Sequence, residues 1–204
     1  MTSVDLSSSG PVRFAGIAEL NHTDKGLRPS RLPAWALAQT DAVPLPIVSS
    51  MLSGGRMEFD TDAVTIGIDC QLITVKSGDN PVLPVTFEVT VDNRVVSSHA
   101  ASNYHVIHTP DPTKPDVRII PGGRETVVLG GLPAGDKSVR VWFPPNAGIE
   151  IASVTVNDGA EVSPSAPDTR RTWVHYGSSI SHCMEAEHPM GVWPVIAATH
   201  EDIN

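Results

Sequence analysis

The chain has 204 residues, a formal net charge of −9 and only 5% aromatic residues. Nucleic-acid binding rests on clustered lysine and arginine, and the 14 basic side chains here are scattered, so no nucleic-acid partner is expected. No stretch approaches the roughly 20 apolar residues that span a bilayer, and the polar, serine-rich N-terminus carries no secretion signal. We therefore expect a cytoplasmic protein without a membrane partner, in which Cys70 and Cys183 stay reduced.

Sixteen glycines, 18 prolines and many short β-branched runs indicate an all-β domain rich in turns. The first predicted elements are a strand within residues 12–20 and a short helical turn after Pro33, on which Trp35 is expected to anchor a core or an interface. Residues 43–48 are predicted to be extended, because each of their two prolines restricts the residue before it.

Apolar and polar residues alternate strictly along several later segments, which is typical of strands with one buried face. The residues predicted to face the core are Ile66, Ile68, Phe87, Val89, Val141 and Phe143. The pair Asp92-Asn93 predicts a hairpin turn, and a phase slip at Ala152-Ser153 predicts a bulge. About eight to ten strands, with turn signals roughly every 8–12 residues, favour a β-sandwich of the jelly-roll type over residues 1–160, followed by a linker at 161–170.

The C-terminal part, residues 171–204, contains a cluster of hydroxyl side chains behind an apolar run. Trp173 to Tyr176 is predicted to be a buried strand that ends in a tight turn at Gly177 and presents Ser178, Ser179 and Ser181. A small residue and then a serine at a strand end is where α/β hydrolytic folds place a nucleophile. A short helix is expected from Pro194 to about residue 201.

The run Gly177-Ser178-Ser179-Ile180 resembles the first block, Gly-Asp-Ser-Leu, of the SGNH (GDSL-type) hydrolases and acyltransferases. This resemblance implies that Ser179 takes the nucleophile position and that Ser178 stands where the family usually has aspartate. Residues 1–160, with Arg31-Leu-Pro-Ala-Trp35 and Leu132-Pro-Ala-Gly-Asp136, resemble the carbohydrate-binding-module-like sandwich that precedes the catalytic domain in some members. Residues 171–204 would then be the truncated start of the SGNH domain.

The 25 residues after Ser179 contain neither the glycine and asparagine of the family's oxyanion hole nor its Asp-x-x-His block. Since a serine hydroxyl is a weak nucleophile without a base, we expect a truncated chain that is not a competent hydrolase alone and has no cofactor. Its role would be that of a substrate-shaping module. His175 and His182 are the candidates for a borrowed base.

Two other functions stay open at this point. The chain could be a small enzyme reused on an apolar secondary metabolite, with a pocket between the sandwich and residues 171–204. It could also be a carbohydrate-binding module that holds a carbohydrate or acyl ester with Tyr104, His105 and Trp142.

The C-terminal part also carries many groups that can ligate metals, but their spacing matches no standard zinc signature, and no metal is expected. These residues are His175, His182, Cys183, Glu185, Glu187, His188 and His200. The same part holds too much apolar surface to remain in water, so we expect it to dock on its own sandwich or to pair with a second chain, and a homodimer through this part is the form we favour.

Overall fold

A computed structural model describes residues 1–39, 41–42, 44–114 and 116–204. The strands are β1 Thr2–Ser3, β2 Arg13–Ala15, β3 Glu19–Thr23, β4 Gly26–Ser30, β5 Arg56–Thr61, β6 Thr65–Ser77, β7 Thr86–Val91, β8 Arg94–Ala100, β9 His105–Thr109, β10 Arg118–Ile120, β11 Glu125–Gly130, β12 Lys137–Trp142, β13 Ala147–Val156 and β14 Val162–Ser163. The helices are α1 Ala34–Leu37, α2 Pro44–Ser50, α3 Ser179–His182, a 3₁₀ turn at Pro189–Gly191 and α4 Trp193–His200. In the described ranges, no helix is long and apolar enough to cross a membrane.

The strands form two open sheets. In the first sheet the order is β10-β9-β6-β13-β4-β3, with β1 on β13 and β11 on β6, and β6 and β9 run parallel. In the second sheet the order is β14-β5-β12-β7-β8, with β2 against β5. The alternation of side chains along each strand turns one apolar row of each sheet toward the other sheet.

The two inner rows share one hydrophobic core. All six residues predicted to face it are fully buried, which confirms the strand registers read from the alternation. Phe87 and Phe143 meet edge-on there, with ring centroids 6.5 Å apart. The all-β fold with two packed sheets is therefore confirmed, and the narrower jelly-roll type stays a prediction.

Of three local features predicted from the sequence, the hairpin turn and the bulge are present, and the role expected for Trp35 is not. Asp92 and Asn93 both have positive φ in the β7–β8 hairpin, as a tight turn between twisted strands requires. The register between β13 and β6 shifts between Ile151 and Ser153, where a bulge was predicted. Trp35, by contrast, is 68% exposed and anchors no core.

The prediction of an extended segment at 43–48 is wrong for its described residues, because Pro44 to Ser50 is a helix; Val43 lies outside the described residues. Pro44 opens α2 and Pro46 lies in its first turn, where backbone N–H groups have no intrahelical acceptor. Neither proline therefore removes a helical hydrogen bond.

The predicted strand at Trp173–Tyr176 is also not formed, and these residues have no regular secondary structure. A strand needs neighbouring chains for its N–H and C=O groups. Among the described residues, Asn204 alone supplies such bonds here, to Arg171 and Trp173. Of the expected strand and helix in the C-terminal part, the helix is present as α4.

Candidate functional site

Residues 171–204, called the tail, lie against the outer face of the second sheet. The Met190 N–H donates to the Glu88 carboxylate at 3.0 Å, and the His182 ring donates through Nε2 to the Pro145 carbonyl at 2.7 Å. The Asn204 side-chain oxygen accepts a hydrogen bond from Arg56. The expectation that the tail docks on its own sandwich is confirmed for these contacts.

An apolar cluster separate from the main core fills the space under the tail. Trp142 of β12 packs there against Val192 and Val195, with partly buried Cys183, Ala186 and Met190 around them. The Trp142 indole N–H donates to the Thr90 hydroxyl at 2.9 Å. Both polar and apolar parts of this tryptophan are therefore satisfied by the protein itself.

A layer of charged side chains on the same outer face surrounds one buried carboxylate, that of Glu58. The buried carboxylate of Glu58 accepts from Arg13 and, at 2.6 Å, from Arg56, and Arg140 lies 3.6 Å away. The Arg56 guanidinium lies 4.7 Å from the ring centroid of Trp142. Burial lowers the pKa of Arg56, and the attraction of Glu58 opposes that shift. Sequence reasoning missed this layer, although Arg140 and Trp142 alternate with core residues and so point to the outer face.

Ser179 is the first residue of α3 and is exposed. Ser178 before it is extended, and Gly177 lies so close to Ser181 that a Cβ on residue 177 would be 2.7 Å from the Ser181 Cβ. The glycine at the tight turn is therefore required by close packing. In the described part of the chain, no hydrogen bond joins the Ser179 hydroxyl to His175 or His182.

The two histidines near Ser179 are occupied in different ways. The His175 ring packs against the indoles of Trp173 and Trp193, with centroid distances of 5.1 Å and 4.9 Å, and the two indoles also contact each other. The His182 ring is buried; burial and then the charge of Arg31 lower its pKa, and the bond to Pro145 opposes that shift. These contacts bring neither imidazole into a nucleophile–base pair with the serine.

The three residues considered for ligand binding do not share a surface. Trp142 is covered by the tail on the second sheet. Tyr104 packs against the main core, and His105 on β9 of the first sheet accepts a hydrogen bond from the Gly122 N–H at 2.9 Å. Within the described ranges, no group of three or more His, Cys, Asp or Glu is placed to hold a metal ion.

A cleft of about 430 Å³ opens between the start of the tail and the end of α4. Its walls are Arg171, Thr172, Trp173, Ala197, Glu201 and Ile203. A smaller polar cleft of about 280 Å³ lies between the tail and the second sheet, beside Arg140 and Arg170. The larger cleft is formed within the tail, whereas the smaller one combines second-sheet residues with Asp202 of the tail.

The two open sheets pack around one core and form a β-sandwich. The tail, which bears Ser179 on a short helix, lies on the outer face of the second sheet. No protein-family model matches the sequence, and no curated protein is significantly similar to it. Among solved structures, the chain is similar to a salicylyl-acyltransferase from a tetracycline biosynthetic pathway, with a TM-score of 0.76 and 23% identity over 95% of this chain and 49% of that one. It is also similar to a GDSL-like lipase from Bacteroides ovatus, with a TM-score of 0.59 and 15% identity over 93% of this chain and 51% of that one.

The chain thus spans about half the length of these two solved proteins. At these identities the likeness shows a shared fold. It extends over both the sandwich and the tail, since more than nine tenths of this chain is covered in each comparison.

Proposed function

We propose that this chain is the substrate-shaping β-sandwich and first catalytic block of an SGNH (GDSL-type) esterase or acyltransferase, with Ser179 in the nucleophile position. The observation that carries the proposal is the docking of Ser179. The helix that bears this serine is fixed to the sandwich by the bond from His182 to Pro145. It is fixed to α4 by the bond from the Trp193 indole N–H to the Ile180 carbonyl at 3.0 Å.

In this proposal the sandwich holds Ser179 in a fixed position. An exposed hydroxyl that follows a glycine turn and is held on a rigid support is half of an acyl-transfer site. The other half, a base and the donors of an oxyanion hole, is not supplied by the residues around Ser179. The proposed activity thus belongs to an assembly in which further polypeptide completes the site.

The chain alone should turn over p-nitrophenyl acetate no faster than buffer. Turnover that disappears in Ser179→Ala and survives in Ser178→Ala would overturn this expectation and show that a base is borrowed from within the chain. His175→Ala and His182→Gln would then identify which imidazole provides it.

A fusion tests the positive side of the proposal. The half of the salicylyl-acyltransferase that this chain does not match would be joined behind residue 204. We expect ester hydrolysis that Ser179→Ala abolishes and Ser178→Ala retains, with circular dichroism confirming that each fusion is folded. A folded fusion whose activity does not depend on Ser179 would refute the nucleophile assignment.

The larger cleft favours, as a second candidate, a small-molecule site within the tail itself. Arg171 can attract a carboxylate, while Trp173, Ala197 and Ile203 offer an apolar wall. Salicylate or benzoate should then raise the melting temperature, and Trp173→Ala should remove the shift while Trp35→Ala retains it. No shift with either acid would exclude this candidate.

A further inference from the structure

A row of side chains crosses the outer face of the second sheet where the tail lies on it. Glu88 on β7 is opposite Trp142 on β12, and Trp142 is opposite Arg56 on β5. Glu88 bonds to the 3₁₀ turn of the tail, and Trp142 packs against α4. Arg56 bonds to the side chain of Asn204. Residues of three neighbouring strands therefore set the position of the tail on the sheet.

Glu88 is a buried carboxylate that faces the tail. Its neighbours Phe87 and Val89 belong to the main core, so the side chain between them points to the opposite side of the sheet, and only 6% of it is exposed. A buried carboxylate is costly unless hydrogen-bonding groups compensate it. In the part of the chain that the structure describes, these groups come from the tail: the Met190 N–H at 3.0 Å and Nδ1 of the His188 ring at 3.3 Å.

The 3₁₀ turn Pro189–Gly191 offers this carboxylate a single amide. Pro189 has no N–H, and the amides of Gly191 and Val192 bond to carbonyls of the same turn, with N···O distances of 2.9 Å and 3.4 Å. The Met190 N–H remains, and Glu88 is its acceptor. A shift of the turn by one residue would leave the buried carboxylate without this donor, so Glu88 selects one register of the turn.

The turn determines where α4 begins, and α4 holds the helix that bears Ser179. Val192 follows the turn and packs against Trp142. Trp193 is the first residue of α4, and its indole N–H donates to the Ile180 carbonyl at 3.0 Å. Ile180 follows Ser179 in α3. A contiguous path of bonded and packed groups therefore runs from the buried carboxylate to the serine.

We propose that Glu88 is a positioning residue for Ser179, which acts through the Met190 amide and α4 to fix α3 on the sandwich. The bond from His182 to Pro145 attaches the other end of the same helix. The catalytic meaning of this position rests on the proposed function. The physical link from Glu88 to α3 does not, and it can be measured in the chain itself.

Hydrogen exchange of the α3 amides, followed by NMR on the full chain, tests this link. The amides of Ser181, His182 and Cys183 form the hydrogen bonds of the helix, so their exchange rates report its opening. Glu88→Met keeps the length of the side chain but removes the acceptor, and it should raise these rates about 10- to 100-fold. Glu88→Gln keeps an acceptor oxygen for the Met190 N–H and should restore most of the protection.

Glu150→Met is the matched control. Glu150 is also buried, but it lies on the first sheet, where its carboxylate contacts Arg28 and Thr23. This change removes a buried carboxylate at a distance from the tail, so exchange in α3 should stay at the wild-type rate. If Glu150→Met accelerated it as much as Glu88→Met, the α3 amides would be reporting a general loss of stability, and the proposal would be wrong.

A double-mutant cycle tests the path through α4. Trp193→Phe removes the indole N–H that bonds to Ile180. If Glu88 acts on α3 through this bond, Glu88→Met should accelerate exchange far less in the Trp193→Phe background than in the wild type. Equal acceleration in both backgrounds would overturn the proposed path. So would a Glu88→Gln variant that loses protection as fully as Glu88→Met.

Kinetics of the fusion with the second half of the salicylyl-acyltransferase test the catalytic consequence. Glu88→Met should lower kcat about 10- to 100-fold and leave KM within about twofold, because a displaced nucleophile loses alignment rather than substrate binding. Glu88→Gln should recover most of kcat. An active fusion in which Glu88→Met leaves kcat unchanged would overturn the positioning role. A fusion without Ser179-dependent activity would instead refute the proposed function, and the exchange experiments would still decide whether Glu88 fixes α3.

Discussion

The imidazole of His182 donates a hydrogen bond through Nε2 to the carbonyl oxygen of Pro145 at 2.7 Å, in a position with only 8% of the histidine exposed. A carbonyl oxygen can only accept, so this contact fixes the nitrogen that carries the proton. Pro145 lies between β12 and β13, and His182 ends α3. This one bond therefore links the helix that bears Ser179 to the frame of the sandwich.

His182→Ala should lower the free energy of unfolding by about 1–3 kcal/mol, because a buried carbonyl loses its donor. His182→Gln keeps an N–H donor of similar reach and should recover part of that loss. His200→Ala is the control, since His200 is exposed and its ring pairs with the exposed Glu201 carboxylate. Urea unfolding followed by tryptophan fluorescence measures the free energy of unfolding of all three variants. If His200→Ala lowered it as much as His182→Ala, the bond to Pro145 would not be the cause of the loss.

Protonation of His182 should loosen the tail in acid. Burial holds its pKa below the ordinary value of 6.5, so the unfolded chain binds the proton more readily than the folded one. The stability that this histidine contributes is therefore complete above pH 6.5 and is lost as the pH falls through the lower folded pKa. The difference in unfolding free energy between the wild type and His182→Gln should shrink from pH 7.5 to pH 5, measured by urea titration. A difference that stays constant would contradict this linkage.

The buried carboxylate of Glu58 should matter more than any ion pair at the surface. It faces Arg13, Arg56 and Arg140, so Glu58→Gln leaves buried positive charge without its partner and should cost about 3–5 kcal/mol. Asp69→Asn is the comparison, since Asp69 and Arg124 form a solvent-exposed ion pair. This substitution should cost less than about 1 kcal/mol. Similar costs for the two changes in chemical denaturation would show that the charge layer is hydrated rather than covered.

Most of the sandwich could be predicted from its sequence because alternation is a local signal. Ile66, Phe87 and Val141 each lie in a row of apolar residues two apart, and a slip of one residue would turn the whole row to solvent. The hairpin at Asp92-Asn93 was equally local, since both residues tolerate the positive φ that the turn imposes.

The tail could not be predicted in the same way because its structure depends on distant residues. Trp173 to Tyr176 has strand composition, yet whether it forms a strand depends on a neighbour, and Asn204 provides only two backbone bonds. Trp142 is buried against Val192 and Val195, and Arg56 bonds to Asn204, all of which lie far along the chain. Alternation marked their face of the sheet as outward, but only the docked tail determines that it is covered.

The core register predicts a large cost for truncating a central ring. Phe87 is fully buried and meets Phe143 edge-on, so Phe87→Ala should cost about 3–5 kcal/mol. Val95→Ala, on the neighbouring strand β8 with a side chain that is 46% exposed, should stay within about 0.5 kcal/mol. Thermal and urea unfolding give both values, and a loss below about 1 kcal/mol for Phe87→Ala would mean that the site repacks around the missing ring.

Gly177 tests whether the turn before Ser179 is held as closely as the structure indicates. A methyl group at this position would lie 2.7 Å from the Ser181 Cβ and closer still to its hydroxyl, so Gly177→Ala must displace α3 from the turn. Gly123→Ala is the matched change, because its nearest neighbour would be an ordinary 3.8 Å away. We expect limited proteolysis to cut residues 171–181 faster in Gly177→Ala than in the wild type, while Gly123→Ala is cut at the wild-type rate. Equal rates for all three would show that the turn already opens freely, and Ser179 would then lack the fixed support on which its proposed role depends.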